Sequence, residues 1–150
     1  EALRHRYAHH FVAGVGGHSQ PYAGAEALLR QLSGAGRQLA VATGKSRAGL
    51  NRVLAHTGWS SYFNATRCAD ETASKPNPLM LKELLLELRV PLERAVMIGD
   101  THYDLEMAQR LGMAAIGVSY GVHSAERLAE HAPIAICQDM SELASTLAAL

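Results

Sequence analysis

The sequence predicts an α/β fold, a parallel sheet with helices on both faces. Short apolar runs such as "RQLAVAT" (37–43), "RAVMIGD" (94–100) and "AAIGVSYG" (114–121) have the length of buried strands. Between them lie stretches whose apolar residues recur at i, i+3, i+4 and i+7, the stripe of one helix face. Strand and helix alternate in this rhythm from residue 21 onward, which argues for a parallel sheet covered on both sides.

In chain order, the opening "EALRHRYAHHFVAG" is charged and helix-like, has no cap ahead of it, and lacks the apolar core of a signal peptide. It carries no initiator Met, so these residues are expected not to be the natural start of the protein. Ala25, Leu28, Leu29 and Leu32 mark the next helix, which Gly34 and Gly36 stop. "RQLAVAT" follows as a strand. A helix then starts near Ser46, with Leu50, Val53 and Leu54 inward. "FNATRC" (63–68) is a weaker strand. Pro78 suits the first turn of a third helix, whose stripe is Leu81, Leu84, Leu85 and Leu88. "RAVMIGD" reads as strand into loop, "YDLEMAQRLG" (103–112) as a helix with a glycine stop, and "AAIGVSYG" as strand. "IAI" (134–136) is a last short strand, and Asp139 with Glu142 predicts a capping box on a terminal helix.

The 150 residues are 48% hydrophobic and 19% charged, enough for one folded domain with a core rather than a disordered chain. Fourteen basic residues balance fourteen acidic ones, which gives no electrostatic case for a nucleic-acid or membrane partner. No apolar run approaches the roughly 20 residues of a membrane span. Cys68 and Cys137 lie far apart without metal-like spacing and are expected as reduced thiols of a cytoplasmic protein.

"GKS" at 44–46 has the ending of a nucleotide-binding phosphate loop, but the first glycine of that motif would fall on Leu39. The intervening Ala40–Thr43 read as strand, so no loop is left to wrap phosphates. What remains is the Thr43 hydroxyl at a strand end beside Gly44, able to donate to a phosphate, as are the N–H groups of the following helix. Lys75, in "SKPNP", is a cation on a stiff turn. Asp100 and Asp104, in "GDTHYD", follow the strand ending at Ile98. Two arrangements fit that spacing. Both carboxylates can face one point and need a cation there, with Mg²⁺ suited to hard oxygens in a site open to water. Alternatively, Asp104 favours a helix N-terminus and Asp100 sits in a solvated turn. Taken together, hydroxyl, lysine and paired carboxylates supply what phosphoryl transfer requires.

In that order, Thr43, the Lys75-Pro76 turn and Gly99-Asp100-Thr101-His102-Tyr103-Asp104 resemble the haloacid dehalogenase (HAD) superfamily of hydrolases. "SKPNPLML", "MIGDTHYDLEMAQRLGM" and "IGVSYGVH" look like its phosphoglycolate phosphatase-like branch, over roughly residues 20 to 150. The resemblance implies a Rossmann-like core and a Mg²⁺-dependent phosphomonoesterase acting on a small phosphorylated metabolite. It makes Thr43, with Gly44, the phosphate-binding group and Lys75 the lysine that touches phosphate and nucleophile. Asp100 becomes a Mg²⁺ ligand, with Asp104 assisting directly or through water.

The family's nucleophile is the first aspartate of an Asp-x-Asp motif on the first, central strand, and its second aspartate is the general acid/base. Here the aspartates are Asp70, Asp100, Asp104 and Asp139, with no Asp-x-Asp. Residues 1–18 are therefore expected to be the remnant of a helical cap, and 19–150 the core without its first strand. Two alternatives stand beside the phosphatase. One is another reaction of the superfamily, dehalogenation or sugar phosphomutation, and the Asp100/Asp104 pair counts against the Mg²⁺-independent dehalogenases. The other is a truncated domain that binds phosphate or a partner without turnover. "GVGGH" (14–18) is read as a cap-to-core hinge, and His5, His9 and His10 as cap surface. Arg4 and Arg6 are guesses for a substrate carboxylate. His102 and His123 border the site without a role, and Trp59, Tyr62 and Phe63 are packing residues.

Overall fold

A computed structural model describes residues 6–8, 12–15, 18–21, 24–119 and 123–150. The strands in chain order begin with β1 (Arg6–Ala8), β2 (Val12–Val15) and β3 (His18–Pro21). Helix α1 (Ala25–Gly34) leads into β4 (Gln38–Thr43), then α2 (Arg47–Thr57) and β5 (Ala65–Cys68). The chain continues through α3 (Leu79–Leu88), β6 (Ala95–Gly99), α4 (His102–Leu111) and β7 (Ala114–Val118). It closes with α5 (Ala125–Ala129), β8 (Ala135–Cys137) and α6 (Met140–Ala148).

Six of these strands form one sheet in the order β5-β4-β1-β6-β7-β8, every neighbouring pair parallel. Strand alternation sorts the apolar residues to two sides. Leu39, Val96, Ile98, Ile116 and Val118 face one way, against Leu28, Leu29 and Leu32 of α1 and Leu143 and Leu147 of α6. Ala40, Ala42, Ala65, Ala95, Met97 and Ala115 face the other way, against Met80, Leu81 and Leu84 of α3, Leu105 and Met107 of α4, and Leu128 of α5. The sheet thus presents bulky residues to α1 and α6 and mostly alanines to α3, α4 and α5. Gly117 belongs to the second side, where an added Cβ would lie 3.2 Å from Leu128 Cδ1 and 3.3 Å from Leu105 Cδ1. Helix α2 packs through Leu50 on Val41 and Cys68 at the β5 edge.

The α/β class and helices on both faces are as the sequence predicts. The opening stretch is not. Arg6–Ala8 form a strand rather than a helix, and that strand fills the central place, between β4 and β6, which the sequence reading left empty. A parallel sheet with a central gap leaves two ladders of unpaired backbone groups, and an extended segment there satisfies both. Gly14, Val15 and His18, read as part of a hinge, instead belong to the antiparallel β2–β3 pair. Arg4, His5, His9 and His10 lie outside the described residues. The Asp139 cap is half of the box expected. Its side chain accepts from the Glu142 N–H at 2.8 Å, but the Glu142 carboxylate returns to the Gln138 N–H at 2.6 Å. Both cysteines are free and buried, and burial raises both thiols above their usual range. No described helix is long and apolar enough to cross a membrane.

Leu29 is fully buried under the sheet, whereas Leu86 on α3 is 79% exposed. Leu29→Ala should therefore lower the unfolding free energy by about 2–5 kcal/mol, and Leu86→Ala by less than about 0.5 kcal/mol. Urea unfolding of the two variants measures both, and equal losses would contradict the packing described.

Candidate active site

Because all six strands are parallel, their carboxyl ends share one edge. The register fixes the heights along it. Ala8 pairs with Ala40 on one side and Met97 on the other, so Thr43 and Asp100 each stand three residues above that level. They flank β1 across two strand spacings, about 10 Å. Thr43 also pairs with Cys68, where the chain leaves β5 for the loop that carries Lys75.

Thr43 is buried, and its Oγ1 accepts from the Lys45 N–H at 3.1 Å, turning the chain off the strand through Gly44. Ser46 caps α2 by accepting from the Gly49 N–H at 3.0 Å. Asp70 accepts from the Arg47 N–H, also at 3.0 Å. Two N–H groups at the start of α2, expected as phosphate donors, are thus already held by protein acceptors. The same contacts dock the Lys75 loop. The Ala69 N–H donates to the Lys45 carbonyl at 3.0 Å, and the Arg47 guanidinium grips Glu71 through two bonds of 2.8 Å. That fork holds the Glu71 carboxyl below the usual carboxylate range.

The Lys75 Nζ meets the Asp104 Oδ1 in an ion pair whose side chains are 10% and 1% exposed. The Asp104 Oδ2 accepts from the Thr101 N–H at 3.1 Å and the Thr101 hydroxyl at 2.9 Å. The Thr101 Oγ1 in turn accepts from the Asp104 N–H at 3.2 Å, completing a capping box on α4. Gly99 makes room for this. A Cβ there would stand 2.2 Å from the Asp104 Cβ, so the last residue of β6 has to be glycine for α4 to start where it does.

Asp100 lies between Gly99 and the cap Thr101. Its carbonyl accepts from the His123 N–H at 3.0 Å, and the His123 Nδ1 accepts from the His102 N–H at 2.9 Å. Burial first, then Arg127 and His102, push the His123 imidazole below its usual range, while Asp100 and Asp104 pull it the other way.

The structure therefore brings Lys75 and Asp104 into contact and sets Thr43 and Asp100 level on the same edge. Thr101 and His123 hold these groups in place, and neither was assigned that work from sequence. Thr-x-x-Asp ahead of an apolar stripe is a legible cap signal for Thr101. The sequence sets His123 at the border of the site but gives it no role, because its partners, the Asp100 carbonyl and the His102 N–H and ring, lie more than 20 residues away in the chain. Among the described residues no group of three His, Cys, Asp or Glu side chains converges as a metal site. Mg²⁺ takes one or two protein carboxylates and completes its shell with water and phosphate oxygens. Asp100 can supply one such oxygen, whereas both Asp104 oxygens are engaged with Lys75 and Thr101.

Residues 1–118 match the model of the family described as "Haloacid dehalogenase-like hydrolase". The chain belongs to that family. Among curated proteins, it is 39% identical to the "Probable phosphatase IndB" of Dickeya dadantii over 81% of this chain and 54% of that one. It is 30% identical to a phosphoglycolate phosphatase of Agrobacterium fabrum over 98% of this chain and 63% of that one. The crystal structure of a "predicted phosphatase" from Clostridium acetobutylicum superposes with a TM-score of 0.82 at 30% identity, covering 88% of this chain and 62% of that one. The chain thus spans about half to two thirds of these HAD-like relatives, and the α/β core with its parallel sheet is common ground with the solved phosphatase.

Removing one member of a buried ion pair leaves the other charge unpaired, at about 3–5 kcal/mol. Lys75→Met should cost about that much, and Asp104→Asn less, because the amide oxygen still accepts from Thr101. The double variant should cost at least about 1 kcal/mol less than the sum. Urea unfolding of all four proteins gives the coupling, and strictly additive losses would show that the two side chains do not act as a unit.

Proposed function

We propose that this HAD-like chain is the core of a Mg²⁺-dependent phosphomonoesterase for a small phosphorylated metabolite of the phosphoglycolate kind. The observation that carries the reading is the buried Lys75–Asp104 pair, formed at the start of α4, with Thr43 and Asp100 level with each other on the carboxyl edge of the sheet. A lysine held in this way is a fixed cation with its entropy already lost, suited to bind and orient phosphoryl oxygens. Thr43 at the end of β4 adds a hydroxyl donor, with Gly44 allowing close approach. Asp100 would hold Mg²⁺, and Asp104 serves it indirectly by keeping Lys75 in place. When bound, the ion neutralises charge on the phosphoryl oxygens.

The phosphatase names of the relatives support hydrolysis as the reaction class. Covalent phosphoryl transfer needs a side-chain nucleophile, and the resemblance to the family implies that it is a carboxylate. Asp70 accepts from the first N–H of α2, Asp139 caps α6, and Asp104 is committed to Lys75 and Thr101. The reading therefore assigns attack to the Asp-x-Asp of the family, which these 150 residues do not contain. The balanced surface charge is consistent with a small soluble substrate rather than nucleic acid or membrane, in a cytoplasmic setting.

In the complete protein, Asp100→Asn should lower phosphatase activity on the order of 100-fold, and should raise the Mg²⁺ needed for half-maximal rate more than Asp104→Asn does. Activity unchanged by EDTA would overturn the metal's part. The 150 residues alone, assayed with Mg²⁺ and p-nitrophenyl phosphate, should show no turnover. A version carrying an Asp-x-Asp strand should release inorganic phosphate, whereas transfer to a second sugar hydroxyl would favour a mutase. Equal turnover by the two proteins would place the nucleophile within these residues.

A further inference from the structure

Asp100 lies between Gly99, the last residue of β6, and Thr101, the cap of α4, and its direction depends on the backbone on both sides of it. On one side, Gly99 is tied into the sheet by its register with Gly117 of β7. On the other, the peptide groups flanking Thr101 are both bonded to His123, which follows β7 at a distance in the chain. The His123 N–H donates to the Asp100 carbonyl at 3.0 Å, and its Nδ1 accepts from the His102 N–H at 2.9 Å. A backbone N–H can only donate, so Nδ1 presents its lone pair. The His102 ring stacks on the same imidazole, with centroids 5.0 Å apart and planes at 18°. The pairing of β6 with β7 thus continues past the strand ends as a side-chain clamp.

We propose that His123 is a positioning residue for Asp100, one that sets the direction of its carboxylate and thereby the grip of the site on a divalent cation. This rests on the reading of Asp100 as the Mg²⁺ ligand. The capping box does not replace the clamp. Thr101 and Asp104 bond to each other and turn with the start of α4, whereas His123 directly precedes the cap of α5, a separate helix whose Leu128 packs against Gly117 of β7. Groups that orient metal ligands in this way commonly govern affinity for the metal.

Two variants separate the bond from the bulk of the ring. His123→Phe keeps an aromatic face for His102 but has no acceptor, and His123→Asn keeps an acceptor oxygen near the Nδ1 position. Mg²⁺ binding to the complete protein is measured by titration calorimetry without substrate, beside the Mg²⁺ dependence of p-nitrophenyl phosphate hydrolysis. His123→Phe should weaken Mg²⁺ binding about ten-fold or more, with the loss appearing in the half-saturating Mg²⁺ rather than in the rate at saturation. His123→Asn should recover most of it. Mg²⁺ affinity unchanged in His123→Phe would overturn the proposal, and so would an equal fall in both variants. Absence of Mg²⁺ binding in the unsubstituted protein would instead overturn the assignment of Asp100, and the role of His123 with it.

Discussion

The structure depends most on a lysine and an aspartate that meet out of water. Lys75 arrives on the loop after β5, and Asp104 on the first turn of α4. Neither charge is tolerable alone at that depth, so each fixes where the other's backbone can run. Asp104 is fixed in turn by Thr101, and it can sit there only because Gly99 has no side chain. One electrostatic requirement therefore reaches through a cap and a glycine to set how closely α4 approaches the end of β6. It also ties the two halves of the sheet, since the Lys75 loop leaves β5 on one side of β1 and α4 follows β6 on the other.

The surroundings keep that pair from wandering. Arg47 and Glu71 lock the Lys75 loop to the start of α2, with Asp70 capping the same helix. This contact is a third exposed and contributes little stability by itself. Its value is geometric, because it removes freedom from a loop whose far end must present an ammonium group at a set place. Asp70, Asp104 and Asp139 each accept an N–H at a helix start, where their charge meets the positive end of the dipole. Asp100 differs in that it lies one step ahead of a cap rather than on one.

Much of this was legible before any coordinates. Leu28, Leu29 and Leu32, or Val96 and Ile98, follow periods that fix which face they bury, and those periods predict the elements they belong to. Thr43, Lys75, Asp100 and Asp104 could be placed after strands because strand ends in a parallel sheet share an edge. What failed was local reading where tertiary pairing decides. Arg6–Ala8 carry no strand pattern of their own, and only two open ladders make an extended conformation favourable there. Asp104 shows a subtler limit. Its spacing from Asp100 suits a shared cation or a helix cap equally well, and nothing local announces its contact with Lys75, 29 residues away in the chain. His123 could be set at the border of the site, but its role was not legible, since the backbone groups it bonds leave no trace in residue identity.

The alanines on one side of the sheet carry a consequence beyond packing. Ala40, Ala95 and Ala115, with Gly117, present little side-chain bulk to α3, α4 and α5, whereas α1 and α6 face Leu39, Val96, Ile98 and Ile116. Asp104, which meets Lys75, belongs to α4, one of the helices packed on this face. Side-chain volume in the core thus acts as a spacer for the functional edge, in the way a shim sets a hinge. Enlarging one of these alanines by a pair of methyl groups would lift α4 as a body, because close-packed interiors transmit displacement rather than absorb it. Tolerance to substitution in this face should therefore be governed by alignment at the far edge as much as by folding, and drift in its sequence constrained even where no residue touches a ligand.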